Sequence, residues 1–328
     1  MKPITETNDK HSFSPCGRLS SESLLRKTGQ KKLKREIGMK TNKSSIAGIT
    51  MSAPVIIMLT AFLIIPIMGT IYFSFFKYQV MRPDAKTFNG INNYLKLLTD
   101  ENFYIALKNT VYFSILVVPF QCTLALVLAL LVRSKMKGVA IFRTMYFSPQ
   151  VTSMVVIAIL WVILYNSNAN TGLINAALSR IGLGPFDFLN NPKIAMNSIV
   201  FMSAWQGAGY QMMIFLAGLN AIPSEQYEAA SVDGANPVDQ FLYVTLPGLK
   251  NTIKYVLMIT IIQAMKLFTQ PYIMTKGGPQ NKTKTMVYYI YEQGFQKGNF
   301  GYACCIAAIF FFIVVILSLV VKKLTRTK

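Results

Sequence analysis

The chain has few charged residues and almost no histidine. Asp, Glu, Lys and Arg make up 14% of the 328 residues, and the single histidine, His11, lies in a polar N-terminal stretch. One histidine excludes histidine-based metal sites and catalysis by Ser-His or Cys-His pairs. The four cysteines do not suggest a disulfide framework, because Cys122, Cys304 and Cys305 all fall in apolar runs.

The chain also lacks the GxxxxGK[ST] loop that cradles nucleotide phosphates, so we expect it neither to bind nor to hydrolyse ATP by itself. Acidic side chains are almost absent from its apolar runs, and no internal repeat is evident. Ion-coupled carriers typically show membrane carboxylates or repeats with broken helices, so both absences count against that class.

What the chain does contain is apolar sequence. Hydrophobic residues make up 52% of it and the mean hydropathy is +0.40, values typical of a membrane protein. Bilayer-crossing helices need roughly twenty apolar residues, and such runs must satisfy their own backbone hydrogen bonds. The sequence therefore predicts an all-α, polytopic membrane protein. Its six transmembrane helices are expected near 52–76, 109–132, 145–165, 196–219, 252–274 and 301–321.

The distribution of basic residues predicts the orientation. Residues 1–45 hold 11 Lys and Arg against 4 acids, and the 133–143 loop is also basic. By the positive-inside rule, both termini are expected on the cytoplasmic side of the membrane. We interpret 1–45 as a basic cytoplasmic arm and 46–328 as the transmembrane domain. The net charge of +20 follows from this topology and from attraction to anionic lipid, so no nucleic-acid partner is expected.

A polar, acidic insert at 223–247 separates the expected fourth and fifth spans. Pro223-Ser224 reads as a helix stop followed by an N-cap. Gly234 stands where a short helix must end, and Asn236-Pro237 is an N-cap with proline at the first helical position. The insert is thus predicted to form a helix, a glycine turn and a second helix, closed by Pro247. Two short helices joined in this way make a rigid knob suited to docking on another protein.

The insert closely resembles the EAA loop of binding-protein-dependent ABC importer permeases, because it carries Glu228-Ala229-Ala230, Gly234 and Leu246-Pro247 at the spacing of that loop. Further stretches are similar to carbohydrate permeases of the maltose and glycerol-phosphate type, namely 142–175, 213–235, 275–295 and 299–303. The resemblance covers about 50–326. It implies the type I ABC importer permease fold, with 223–247 as the coupling loop.

The resemblance also implies a transport subunit rather than an enzyme. A second, related permease would complete the translocation path, and two ATPase subunits would bind ATP and Mg, leaving this chain without a cofactor. An extracytoplasmic solute-binding protein would deliver a sugar or oligosaccharide. Two alternatives stay open: a permease of the same superfamily for a glycerophosphodiester or an amino acid, and an ion-coupled carrier without an ATPase.

Seven residues of the insert are expected to couple it to the ATPase: Glu228, Ala229, Ala230, Asp233, Gly234, Leu246 and Pro247. Glu228 would make a charge-assisted contact in the ATPase groove, and the two small alanines would permit close approach. Gly234 permits the turn. Asp233 either caps the helix locally or reaches the partner, and the final Leu-Pro pair would fix the exit of the loop.

Six residues are expected to line the substrate path: Trp205, Gln206, Tyr210, Gln263, Lys266 and Gln270. The three on the fourth span offer the rings and amides that a sugar needs, with helix packing as their alternative role. A central charge such as Lys266 costs roughly 2.5–3.5 kcal/mol, so it faces a cavity or a partner, or else snorkels to an interface. Gln263 and Gln270 stand at i−3 and i+4 from it, which predicts one shared helical face.

A lysine on this face suggests a carboxylated sugar, because sugar hydroxyls need only amides and aromatic rings. An acidic oligosaccharide such as a uronate fragment is the candidate, and importers of the alginate type belong to the resembled family. A neutral oligosaccharide stays open as well, since Lys266 can equally pair with a carboxylate of the partner permease.

Overall fold

The computed structural model describes residues 48–79, 82–133, 138–168 and 171–325. They fall into two compact units, with the boundary between Met68 and Gly69. In the first unit the described residues form most of helix α1 (Gly48–Ser74), and none of the most apolar stretch of this helix is buried. Apolar side chains exposed along a long helix are typical of a lipid-facing span. The predicted arm at 1–45 lies outside the described residues.

The second unit, residues 69–328, begins with a β-hairpin and continues as helices. The hairpin consists of strands β1 (Phe76–Gln79) and β2 (Arg82–Phe88). The helices in chain order are α2 (Asn92–Leu98), α3 (Glu101–Val132), α4 (Val139–Val151), α5 (Met154–Leu164), α6 (Leu173–Ser179), α7 (Ala195–Asn220), α8 (Ser224–Val232), α9 (Pro237–Gln240), α10 (Leu246–Gly248), α11 (Lys250–Met265), α12 (Thr269–Met274), α13 (Met286–Tyr291) and α14 (Phe300–Thr325). Two π-helical turns, Phe241–Thr245 and Glu292–Gln296, follow α9 and α13.

The hairpin corrects the all-α prediction. Its antiparallel strands pair Phe76 with Phe88, and these two rings lie 5.4 Å apart. Strand β1 also packs closely on α14, since a Cβ at Gly301 would lie 2.0 Å from the Phe76 carbonyl oxygen. The ammonium group of Lys86 lies 4.3 Å from the centre of the Phe76 ring, an attractive cation–π contact. Aromatic residues favour β-strands, and the length of an apolar run alone does not reveal this preference.

Of the described residues, four helices are long and apolar enough to cross a membrane: Gly48–Ser74, Glu101–Val132, Lys250–Met274 and Phe300–Leu324. The α4–α5 pair forms a fifth candidate if its two helices count as one span, although they meet at 100°. The expected span at 196–219 is present as α7, whose 26 residues are long enough but include buried polar side chains. Of the six predicted spans, four qualify by length and composition in the described residues, or five if the bent pair counts as one.

The bend between α4 and α5 replaces the single span predicted at 145–165. Pro149 lies inside α4 and has no N–H to donate, and Thr152 takes an extended conformation with φ −75° and ψ 143°. The Thr152 hydroxyl donates to the Ser148 carbonyl oxygen at 3.1 Å. Local bonds therefore satisfy the end of α4 where the helical ladder stops.

A second break divides the span predicted at 252–274 into α11 and α12. Pro271 cannot donate a hydrogen bond to the carbonyl of Leu267, which a continuous helix would require. The hydroxyl of Thr285 donates to that carbonyl instead, at 2.7 Å. Lys266 becomes the C-cap of α11 with φ −89° and ψ 14°. The prediction that Gln263, Lys266 and Gln270 share one helical face is therefore wrong.

Helix α7 occupies the centre of the second unit and contacts α3, α4, α11 and α12. Lipid tails are as apolar as leucine, so helix association in a membrane depends on close packing rather than on hydrophobic transfer. Small residues along α7 permit that packing. A Cβ at Gly209 would lie 2.2 Å from the Tyr146 carbonyl oxygen, and one at Gly218 would lie 2.5 Å from the Thr252 hydroxyl.

Two acidic groups join the segment around α13 to its neighbours. Asp100 caps α3 by accepting from the Asn102 N–H and also accepts from the hydroxyls of Tyr289 and Tyr302. Burial alone would raise the pKa of Asp100, but these donors outweigh it and hold the pKa below its ordinary value. In the same way, Glu292 binds Lys284 at 2.8 Å and Lys297 at 2.9 Å, and its pKa is lowered despite burial.

We expect Gly209→Ala to destabilise the protein, because the added methyl group forces α4 and α7 apart. Overpacking of this kind costs about 1–3 kcal/mol of unfolding free energy. Thermal unfolding of the purified protein in detergent measures the effect as a lower Tm. The matched control is Gly69→Ala, where a Cβ meets no atom within 4 Å and the Tm should not fall. Equal Tm values for the two variants would contradict the close approach of α4 to α7.

Candidate functional site

The structure confirms the helix–turn–helix predicted for the insert. Pro223 is the N-cap of α8, one residue earlier than predicted, and Gly234 has a φ of +82°, which favours glycine. The Asn236 side chain accepts from the N–H groups of Val238 and Asp239 at 2.9 and 3.0 Å, and the Asp239 carboxylate accepts from the Asn236 N–H at 3.2 Å. This reciprocal capping box fixes the start of α9.

Pro247 does not close the insert as predicted. The chain continues from α9 through the π-helical turn Phe241–Thr245 into α10, which includes Pro247. Within this turn the Leu246 N–H bonds the Phe241 carbonyl five residues back, and the wider turn accommodates a proline that has no N–H of its own. The insert therefore passes into α11 with little interruption.

The insert has an outward face that is exposed in the part of the chain that the structure describes. Glu228, Ala229 and Asp233 are exposed, as are Gly234 and both residues of the predicted exit; Ala230 is half-buried. The sequence analysis missed three apolar residues on the same surface. Their exposed fractions are high, 87% for Val232, 64% for Val238 and 77% for Tyr243. The available signal was apolar side chains within an otherwise acidic, polar insert. Such a mixed surface is typical of a protein-docking site.

A cavity of about 440 Å³ lies between α3, α4, α5, α7, α11 and α12. Both helix breaks border it, since its wall includes Thr152 and Met154 at one break and Lys266 and Phe268 at the other. Irregular backbone at membrane depth is tolerated where it is buried in protein or lines a cavity. The positions of the two breaks therefore identify this cavity as the candidate solute path.

The cavity wall is rich in amides. Five glutamines contribute to it: Gln121, Gln150, Gln206, Gln263 and Gln270. The Gln206 amide donates to the Gln150 amide oxygen at 3.1 Å, so two of them are pre-positioned by each other. The hydroxyl of Ser203, also in the wall, has no hydrogen-bond partner among the described residues. Donors and acceptors of this kind suit a polar solute with many hydroxyl groups.

Lys266 is the one charged side chain in the part of the wall that the structure describes. As the C-cap of α11 it lies at the negative end of a helix dipole, which favours a cation by about 0.3–1 kcal/mol. The break thus does two things at once. It opens the helix toward the cavity and stabilises the charge placed there.

The structure brings together five of the six predicted path residues, namely Gln206, Tyr210, Gln263, Lys266 and Gln270. Trp205 is not among them. It is 42% exposed, and its ring packs edge-on against Trp161 with centres 5.5 Å apart, which matches the alternative of helix packing. One turn of α7 therefore directs Gln206 into the cavity and the adjacent tryptophan away from it.

The sequence analysis missed Gln121 and Gln150, although each is an amide inside a predicted apolar span. Gln121 reaches the cavity because residue 207 is glycine. A Cβ there would lie 2.1 Å from the Gln121 amide nitrogen. The close approach of α3 and α7 at this point was not visible in the sequence.

A polar cavity inside a bundle of apolar helices, with an exposed polar insert at one of its connections, is the arrangement of a membrane transport subunit. The model of the "Binding-protein-dependent transport system inner membrane component" family matches residues 121–326. The chain belongs to this family. It is therefore a component of an importer and an integral membrane protein, and it is not an enzyme.

Relatives match nearly the whole chain. The probable ABC transporter permease YurN of Bacillus subtilis is 36% identical over 290 residues, covering 87% of this chain and 98% of that protein. The arabinooligosaccharides transport system permease AraP of the same organism is 33% identical, with coverages of 84% and 87%. A chain in the crystal structure of a bacterial ABC transporter that imports the acidic polysaccharide alginate has a TM-score of 0.76 at 25% identity, with coverages of 90% and 98%.

Proposed function

We propose that this chain is a permease subunit of an ATP-driven importer and forms part of the translocation path for an oligosaccharide. The observation that carries the proposal is the cavity itself, with five glutamines, a tyrosine and an unpartnered serine hydroxyl in its wall. Amides donate and accept at once, as do sugar hydroxyls, so the two surfaces can exchange hydrogen bonds in many registers. Relatives named for arabinooligosaccharide and alginate import support a saccharide over a glycerophosphodiester or an amino acid.

We further propose that the saccharide is acidic. Lys266 carries the only charge in the described cavity wall, and no acid of this wall neutralises it. A carboxylated sugar in the cavity would supply the missing counter-charge. The alternative is a neutral oligosaccharide, with Lys266 paired to a carboxylate of the second permease.

The proposed topology has six spans: α1, α3, the α4–α5 pair, α7, the α11–α12 pair and α14. Helix α7 completes this set although it is the least apolar, because its polar side chains face protein rather than lipid. Both termini and the insert between α7 and α11 are then cytoplasmic, in a bacterial inner membrane. This arrangement places the outward face of the insert where an ATPase would dock.

The proposed partners follow from this placement. A second permease would close the open side of the cavity, a solute-binding protein would deliver the saccharide, and two ATPase subunits would hold ATP and Mg. Glu228 would contact the ATPase groove beside Val232 and Tyr243, an acidic group with apolar neighbours. When the ATPase dimer closes on ATP, the insert would move with it. The cavity would then change from opening toward the cytoplasm to opening toward the outside.

We expect Gly234→Val to abolish transport while the protein remains in the membrane. A β-branched residue at a φ of +82° is strained, by about 1–2 kcal/mol for left-handed backbone, although the surrounding space is open. Uptake of labelled solute and ATPase activity of the assembled importer measure the effect. Gly234→Asn is the matched control, because asparagine tolerates this conformation. Normal uptake with Gly234→Val would remove the turn from coupling.

Reporter fusions test the topology. A reporter joined after residue 240 should report a cytoplasmic location, and one joined near residue 285 should report a location outside the membrane. Green fluorescent protein and alkaline phosphatase provide the two readouts, each tried at both positions. The opposite pattern at either position would overturn the six-span arrangement.

Lys266→Met tests the acidic substrate. In a reconstituted importer we expect this variant to lose uptake of an alginate oligosaccharide selectively, because the counter-charge of the carboxylates is gone. A neutral arabinooligosaccharide of equal length should be affected much less. Lys266→Arg, which retains the charge, is the matched control. An equal effect on both saccharides, or none, would remove Lys266 from the substrate site.

A further inference from the structure

Tyr227 precedes Glu228 in α8 but faces the helix bundle. While Glu228 is exposed, Tyr227 packs with Val244 against the buried residues where α3, α7 and α11 meet, among them Val132 and Leu219. Successive residues of a helix are about 100° apart, so neighbours in the insert can face the outside and the bundle respectively.

The Tyr227 side chain makes three contacts at this position. Its hydroxyl accepts from Arg133 Nη1 at 3.0 Å and pairs with the Thr245 hydroxyl at 2.9 Å. The guanidinium carbon of Arg133 lies 4.7 Å from the centre of the tyrosine ring, a cation–π contact. A hydroxyl that accepts from Arg133 can donate to Thr245, so all three contacts form together.

These contacts join three separate parts of the fold. Arg133 is the C-cap of α3, Tyr227 lies in the first helix of the insert, and Thr245 lies in the π-helical turn that follows its second helix. The 32-residue helix α3 also supplies Phe113, Val117 and Gln121 to the cavity wall. One continuous helix therefore runs from this junction to Gln121 and, past Pro119, to Val117 and Phe113.

We propose that Tyr227 is a positioning residue that transmits movement of the insert to the cavity by holding the end of α3 through Arg133. This inference rests on the proposed function and adds a second role within the insert. The outward residues would receive the motion from the ATPase, and the junction of Tyr227, Arg133 and Thr245 would pass it to α3. Docking and transmission then depend on different side chains of the same nine-residue helix.

Tyr227→Phe separates the two roles, because it retains the ring and its packing but removes both hydroxyl contacts. Arg133→Met should have the same effect, since it removes the other half of the junction. The matched control is Ser231→Ala. The Ser231 hydroxyl accepts from the Gln240 amide at 3.0 Å within the insert and makes no hydrogen bond to α3.

The experiment uses the assembled importer with its binding protein, in right-side-out vesicles loaded with Mg and a non-hydrolysable ATP analogue. A Thr269→Cys substitution in the cavity wall is labelled from outside with an impermeant maleimide. The labelling of importer that lacks this substitution is subtracted as background. We expect the nucleotide to increase labelling in this parent and in Ser231→Ala. With Tyr227→Phe or Arg133→Met, the increase in labelling should be reduced by a factor of about five or more, as expected for loss of a charged hydrogen bond. Capture of the ATPase subunits should be unchanged in every variant.

Three outcomes would overturn the inference. If Tyr227→Phe retains the full increase in labelling, the junction transmits nothing. If it loses the ATPase subunits, Tyr227 serves docking or folding instead. If the parent itself shows no increase with nucleotide, the proposed function fails and this inference fails with it. A normal parent response therefore distinguishes failure of the inference from failure of the proposed function.

Discussion

The hydrocarbon core of a membrane offers no hydrogen-bond partner to an open backbone, and the rest of this structure follows from that constraint. The helical ladder can stop inside the bundle only where other groups of the protein replace the missing bonds. At α12 the Thr285 hydroxyl takes the carbonyl that Pro271 leaves free. In α4 the Ser148 hydroxyl donates in the same way to the Met145 carbonyl, which Pro149 leaves free. Both interruptions lie beside one cavity, where irregular backbone and polar side chains share the same protected space.

Helix α7 makes this space possible. Its glycines let α4 approach closely at one point and let the Gln121 amide pass at another. Its Gln206 amide then lines the cavity with Ser203 and Tyr210, while Ser198 and Gln211 are buried elsewhere along the helix. Gln211, for example, is fully buried and donates to the Thr260 hydroxyl at 2.6 Å. The polarity that makes α7 a poor membrane span by composition is therefore what makes it suitable as the wall of a polar path.

Local signals predicted local structure well. The cap at Asn236 and the turn at Gly234 depend on residues within one turn of helix, so the sequence alone contains their cause. The break at Lys266 depends on Thr285, almost twenty residues away, and the reach of Gln121 depends on a glycine in another helix. Such contacts leave no periodic pattern. The path residues around Lys266 were thus identified by residue type, although the predicted arrangement on one helical face was wrong.

In the proposed importer, the different directions of Tyr227 and Glu228 would place two kinds of selection on adjacent positions. A change on the outward face would be tolerated only together with a change in the gene of the docking partner. A change at Tyr227 would be tolerated only together with one at Arg133 or Thr245, within the same gene. The insert therefore need not evolve as one unit. If α8 docks on an ATPase as proposed, it could acquire a new ATPase specificity on its outer face while its inner face continues to fit the same bundle.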